Sequence, residues 1–353
     1  CGKSYLLMNL FRQHLLDCGV REDHIVMLDL ENRRNKRLRD PDVLLEWIDS
    51  QIVEYKAFGD VPKEEWYYVM LDEVQLVPEF EDVLNSYLSI RNVDVYVTGS
   101  NSRFLSKDVI TEFRGRGHEI HVTPLSMSEF VGAHPEMTFE EALDQYMTYG
   151  GLPMVCLESD VREKEAYLKG LFEKTYLPDI QERYHIRGSD VMEELIDVVA
   201  SGIGGLTNPT KIENTFKTVK GIGVGKNTIK QYLEMLEESF LVRKAVRYDV
   251  KGRKYIDTPQ KYYFEDLGLR NARIGFRQVE KTHLMENMVY NELRLHGYTV
   301  DVGVVTHNTK DAEGRSQRVQ LEVDFVCNRG PERIYIQSAY ALPDKEKVEQ
   351  EQA

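Results

Sequence analysis

Val69-Met70-Leu71-Asp72-Glu73-Val74-Gln75, which follows Trp66-Tyr67-Tyr68, decides the reading of this chain. Apolar side chains crowd in ahead of two carboxylates with no helical spacing. That is the pattern of a strand buried on both faces in a parallel sheet. Open α/β sheets bind ligands beyond the C-terminal ends of their strands, so the stretch delivers Asp72 and Glu73 to such an edge. Two adjacent acids there suit a division of labour in which the first holds a hydrated magnesium ion and the second polarises a water. The competing reading is a strand that ends in a solvated acidic turn.

The opening residues, Cys1-Gly2-Lys3-Ser4, weigh against that alternative. They match the tail of the phosphate-binding loop G-x-x-x-x-G-K-[ST]. In such a loop backbone N–H groups cradle phosphates, the lysine reaches the β- and γ-phosphates, and the hydroxyl binds magnesium. Tyr5 to Cys18 follows, with Leu6, Leu7, Leu10, Leu15 and Leu16 spaced for an amphipathic helix. Its N-terminus would point at the anion. Gly-Lys-Ser opening a helix, then an apolar strand ending Asp-Glu, is the Walker A and Walker B pair. The strand that precedes a phosphate loop is missing from the sequence, so the natural N-terminus is expected upstream. The charged end Gln350-Glu351-Gln352-Ala353, without a capping signal, is likewise expected to continue.

Composition sets the frame. The chain has 353 residues, long enough for two or more domains. Its 42% hydrophobic and 29% charged content fits a globular protein. No apolar run reaches the length of a membrane span, so no membrane partner is expected. The four cysteines, Cys1, Cys18, Cys156 and Cys327, show no metal-ligand spacing. They point to a reducing, cytoplasmic compartment and not to a disulfide framework. A net charge of −14 argues against uniform nucleic-acid binding and leaves room for a local basic patch.

Further strands are expected at Ile25–Leu30 and Val93–Val97, and helices at Leu44–Tyr55 and Phe80–Ile90. The strand Val93–Val97 ends in Thr98-Gly99-Ser100-Asn101-Ser102. Ser100 or Asn101 would lie near the γ-phosphate and orient the attacking water, or else cap the next helix. In Phe113-Arg114-Gly115-Arg116-Gly117-His118, two arginines in a glycine-rich turn could reach a phosphate of this subunit or a neighbour; the alternative is a solvated basic loop. A short strand is expected at Ile120-His121-Val122, and a helix carrying Met127 and Phe130 after Thr123-Pro124-Leu125-Ser126.

The succession GKS, VMLDEVQ, VTGSNS, FRGRG and HVTPLSMSEF resembles a family of prokaryotic ATPases of the AAA superfamily that carry a C-terminal domain of unknown function. The likeness continues in Tyr149-Gly150-Gly151-Leu152-Pro153, Tyr176-Leu177-Pro178-Asp179-Ile180, Asp266-Leu267-Gly268-Leu269-Arg270, Glu286-Asn287-Met288-Val289-Tyr290-Asn291-Glu292-Leu293 and Glu322-Val323-Asp324-Phe325, and so covers nearly the whole chain. It implies that Gly2, Lys3 and Ser4 bind the phosphates of ATP and that Ser4 and Asp72 hold Mg2+. It further implies that Glu73 is the catalytic base, that Ser100 or Asn101 is the sensor, and that Arg116 is the γ-phosphate arginine. AAA modules commonly form rings, which makes a homo-oligomer an expectation.

The expected architecture is α/β: a P-loop NTPase core with a parallel sheet over residues 1–135, a helical lid over 136–189, a winged helix-turn-helix over 190–260, and a restriction-endonuclease-like α/β domain over 261–353. The winged helix is read from helices at Met192–Ala200, after Asn208-Pro209, and after Lys226-Asn227-Thr228, then a charged hairpin to Lys254. Asn208 is a good cap and Pro209 suits the first helical position. From Lys217 to Lys254 there are ten basic residues against the four acids Glu234, Glu237, Glu238 and Asp249. Lys226, Lys230, Arg243, Lys244, Arg247, Lys251 and Arg253 are thus candidates for contacting double-stranded DNA. The alternative is a winged helix that serves protein contacts alone.

In the last part, a helix carrying Glu286, a hairpin ending in Asp324 and a strand carrying Gln337 resemble the nuclease-type core, where two acids and a Glu-x-Lys hold magnesium. Here Gln337-Ser338-Ala339 replaces Glu-x-Lys. An amide is a poorer magnesium ligand than a carboxylate, and serine cannot supply the charge of lysine, so a degenerate, noncatalytic site is expected. The function expected first is an ATP-driven, DNA-associated switch. An ATP-dependent nuclease and a signalling or scaffold ATPase are the alternatives.

Overall fold

The computed structural model describes residues 2–56, 60–99, 113, 117–186, 190–221, 223–277, 280–310 and 316–340. Two compact units divide between residues 122 and 123. No helix among the described residues is long and apolar enough to cross a membrane.

The first unit is a three-stranded parallel sheet in the order β1-β2-β3, formed by β1 (Ile25–Asp29), β2 (Tyr67–Asp72) and β3 (Val93–Val97). β2 is central and every residue of it is buried, which accounts for its unbroken apolar run. Register pairs Asp29 with Asp72 and Leu71 with Val97, so all three strands end together. Val69 and Leu71 face a core with Leu44, Ile48, Phe80 and Leu84. Tyr68 and Met70, offset by one residue, face a second cluster with Leu7 and Leu15. Alternate residues of one strand therefore supply two cores, as a period of two requires. The helix expected from Leu44 begins earlier, at Pro41, because the Asp40 carboxylate caps the N–H groups of Asp42 and Val43.

The strand expected at Ile120-His121-Val122 is absent. Residues 118–122 join neither sheet, and Ile120 is exposed. Three residues interrupted by a histidine offer too little apolar surface to be held on a sheet edge.

The second unit runs from residue 123. Met127–Ala133 is its first helix and packs with the second unit, ahead of the expected core end at 135. Both this helix and the next, Phe139–Tyr149, open with reciprocal capping boxes, Ser126 with Glu129 and Thr138 with Glu141. One apolar core links Met127, Tyr146 and Leu177 to Met192, Ile229, Phe264 and Leu284. That core takes in residues of all three parts expected after residue 135, while Tyr263, Tyr290, Val300, Val302 and Phe325 pack in a second cluster.

Helices Asp190–Ser201, Pro209–Thr215 and Lys226–Glu238 precede the hairpin of β4 (Val242–Asp249) and β5 (Lys254–Phe264). That is the element order of a winged helix-turn-helix. The hairpin is not free-standing, however: β4 also pairs in parallel with β6 (Thr299–Lys310). With β7 (Ser316–Arg329) and β8 (Glu332–Ile336) this makes a five-stranded sheet in the order β5-β4-β6-β7-β8. A boundary at 260/261 falls inside β5.

The stretches that carried the family likeness lock this unit together. The buried Asp266 carboxylate accepts from the N–H groups of Leu269 and Gly151, each at 2.9 Å. Asn271 Nδ2 donates to the carbonyls of Met147 and Thr148, and Arg270 Nε donates to that of Ala200. Within Glu286–Leu293, Asn287 satisfies both backbone groups of Phe264, while Glu292 accepts from Met127 N. Each bond pairs a polar group that would be costly to bury alone.

Candidate functional site

The site forms where β2 ends. The apolar run breaks at Asp72, itself buried, and Glu73 turns the chain with a left-handed φ of 56°. A glutamate in that region is strained, and such strain concentrates at functional sites. Thr98, just beyond β3, joins the two acids. Its hydroxyl donates to Asp72 Oδ1 and accepts from Glu73 N at 3.2 Å, and its N–H donates to Leu71 O at 2.9 Å. Gln75 Nε2 donates to Glu73 Oε2.

Lys3–Tyr5, a π-helical turn at Leu6–Phe11 and Arg12–Asp17 form one continuous helical stretch. Its fifteen residues span about 22 Å. Leu7 and Leu15 pack with Tyr68 and Met70, and the Phe11 ring lies 4.7 Å from that of Tyr96. The stretch leaves through residues 18–24 to the start of β1. Its C-terminus therefore lies at the strand starts and its N-terminus, with Lys3 and Ser4, at the edge where Asp72 emerges. Gly2 has a left-handed φ of 84°, which only glycine adopts without strain. A helix N-terminus following such a glycine presents N–H groups to an anion. These residues fit MgATP: the first turn suits phosphates, and the second Asp72 oxygen takes no hydrogen bond among the described residues.

Ser100, Asn101 and Arg116, assigned by the sequence to sensing and to the γ-phosphate, lie outside the described residues. A cavity of about 660 Å³ lined by Arg21, His24, Trp47, Gln51 and Tyr67 opens at the opposite end of the strands, away from the carboxylates.

The basic candidates divide. Lys226, Lys230, Lys251 and Arg253 are exposed, with Lys230 3.9 Å from Glu234 on the same helix face. Arg243 pairs with Glu265 and Lys244 with Glu237 at 3.6 Å. Arg247 is buried in the sheet, 8% exposed, with Nη2 on Gln320. The pairing of β4 with β6 places it inside, which corrects its expected role on an open wing.

Glu286, Asp324 and Gln337 come together around a residue the sequence reading missed. Lys261 of β5 sends its ammonium to Glu286 Oε1 at 2.8 Å and Glu322 Oε1 at 2.6 Å, with Asp324 Oδ1 at 4.0 Å. The Tyr263 hydroxyl also donates to Glu286 Oε1, and Gln337 Oε1 accepts from Asp324 N. Burial pushes the Asp324 carboxyl up to about 6, helped by neighbouring Glu286. Burial opposes charge on Lys261, but Glu286 and Glu322 outweigh it and hold the ammonium above its ordinary value. The available signal was the alternation in Lys261-Tyr262-Tyr263-Phe264, which puts a lysine on the face of buried Tyr263. Thr98 gave no comparable signal.

A Gly-Lys-Ser helix start and an Asp-Glu strand end on one edge of a parallel sheet define a P-loop ATPase fold. Residues 1–131 match a family described as AAA domain, and residues 140–280 match a domain of unknown function. An uncharacterized protein of Haemophilus influenzae is 32% identical over 347 residues, 97% of this chain and 81% of that protein. An uncharacterized protein of Methanocaldococcus jannaschii is 24% identical, over 98% of this chain and 74% of that one. Among solved structures, a Walker-type ATPase of Pyrococcus abyssi is 14% identical with TM-score 0.49, covering 76% of this chain and 88% of that one. The ORC2 protein of Aeropyrum pernix is 12% identical with TM-score 0.40, covering 81% and 84%. The chain belongs to the prokaryotic P-loop ATPases of the AAA superfamily that carry a C-terminal domain of unknown function.

Proposed function

We propose that this protein hydrolyses MgATP at the Asp72–Glu73 edge and uses the cycle to reposition a DNA-associated second unit. The observation that carries the first half is the Asp72–Thr98–Glu73 arrangement on the edge that also receives the Lys3 helix start. Magnesium would neutralise phosphate charge and fix the phosphates for in-line attack. Lys3 and Ser4 would hold the phosphate end, Asp72 would help to hold the metal, and Thr98 keeps that carboxylate in place. Glu73 takes the proton from the attacking water. Ser100 or Asn101 orients that water, and Arg116 reaches the γ-phosphate from this subunit or from a neighbour in an oligomer.

The DNA half is supported by the helix–helix–turn–helix–hairpin order and by exposed Lys226, Lys230, Lys251 and Arg253. The test is retention on duplex DNA across a salt series. Replacing these four by alanine is expected to weaken binding uniformly across sequences, and to reduce the salt slope by roughly 0.9 per lost phosphate contact. Equal retention of both proteins would remove DNA from the reading. The ion pairing of Arg243 and Lys244 and the burial of Arg247 favour a second reading, an ATPase whose second unit engages a protein partner. ATP turnover indifferent to duplex DNA would select it.

A further inference from the structure

We propose that the ammonium of Lys261 is a built-in counter-ion that takes the place of a divalent cation among Glu286, Glu322 and Asp324, so that this cluster binds no metal and cleaves no phosphodiester. The three carboxylates come from one helix, Lys281–Leu295, and one strand, β7, while the lysine enters from β5. Lys261 is 3% exposed, and its ammonium stands 2.8, 2.6 and 4.0 Å from the three acids. A lysine so buried is stable only if paired, and here its pairing takes up Glu286 Oε1 and Glu322 Oε1, oxygens a cation there would share. Glu286 Oε1 already receives both Lys261 and Tyr263. Asp324 Oδ2 receives Ser338 N at 2.8 Å.

Gly204 borders the Glu286 side of the cluster, so near that an added Cβ would stand 2.8 Å from His283 Nδ1 and 3.1 Å from Glu286 Oε2. Gln337, in the place of an acid, accepts from the backbone of Asp324. Three carboxylates against one ammonium leave a negative excess, so removing the lysine should create a site that draws in a cation.

The test is Mn2+ titration of the full chain without nucleotide, read by the electron paramagnetic resonance signal of free Mn2+. The wild-type protein is expected to show no Mn2+ site that depends on Asp324. Lys261→Met is expected to gain one site at least tenfold tighter than any in the wild type, lost again when Asp324→Asn is added. If Lys261→Met does not fold in metal-free buffer, refolding it with Mn2+ is expected to restore the native circular dichroism spectrum, because the metal replaces the ammonium. The proposal is overturned by a wild-type site that Asp324→Asn abolishes. It is equally overturned by a folded Lys261→Met that gains no Asp324-dependent site, or by a variant that Mn2+ fails to refold. None of these outcomes depends on ATP turnover.

Discussion

Thr98 is the residue on which the geometry of the nucleotide site turns. Its hydroxyl joins Asp72 to the Glu73 backbone, so Thr98→Val removes a positioning bond while keeping the shape. A bond of this kind is worth about 1–1.5 kcal/mol, which converts to roughly tenfold in rate. We expect steady-state ATP turnover to fall about tenfold in Thr98→Val and to be largely kept in Thr98→Ser. Asp266 makes a different prediction. Burial raises its carboxyl from 3.8 to about 6, against the backbone N–H groups that hold it down. Between those values the folded chain keeps a proton that the unfolded chain has released. The site therefore contributes stability at low pH that is lost as pH rises through about 6, roughly 3 kcal/mol in all. Urea unfolding of Asp266→Asn is expected to show a flatter pH dependence across this window than the wild type. Asp72 and Glu73 were legible in the sequence because an apolar run announces where a strand ends. Thr98 was not, since its meaning depends on a partner 26 residues away, and for Lys261 the alternation gave a face but not the partner 25 residues on.

At the scale of elements, the close approach of helices Leu267–Arg273 and Phe139–Tyr149 is testable through glycine. A Cβ at Gly268 would lie 2.0 Å from the Tyr149 carbonyl oxygen, which is backbone and cannot step aside. Gly268→Ala should cost about 3 kcal/mol by overpacking, read as a lower urea midpoint. Gly170, in the helix Val161–Leu171, has nothing within 4 Å of the same position. Gly170→Ala should stabilise by about 0.5–1 kcal/mol through helix propensity alone, read as a higher midpoint. Most elements were legible because capping and periodicity are local: Asn208-Pro209 starts a helix as read, and β2 lies within two residues of its expected place. The pairing of β4 with β6 was not, because strand partners are chosen by nonlocal packing. That pairing turns an expected wing into an inner strand and buries Arg247.

At the scale of the whole molecule, each unit has its own interior. In the first, three parallel strands carry their chemistry to one edge. In the second, one core runs from Met127 to Met288, and a smaller one is built from Tyr263, Tyr290, Val302 and Phe325. The sequence divided that region into lid, winged helix and nuclease-like parts because composition and motif change along it, whereas the larger of these cores draws on all three. Everything proposed for the first unit rests on Glu73 activating water at an ATP site built on Asp72. ATP turnover is therefore the quantity to measure, with and without duplex DNA, in the wild type and in Glu73→Gln, alongside nucleotide affinity. Glu73→Gln is expected to lower turnover by about 10²-fold or more while affinity is kept. Unchanged turnover in Glu73→Gln would contradict the assignment of Glu73 as the base.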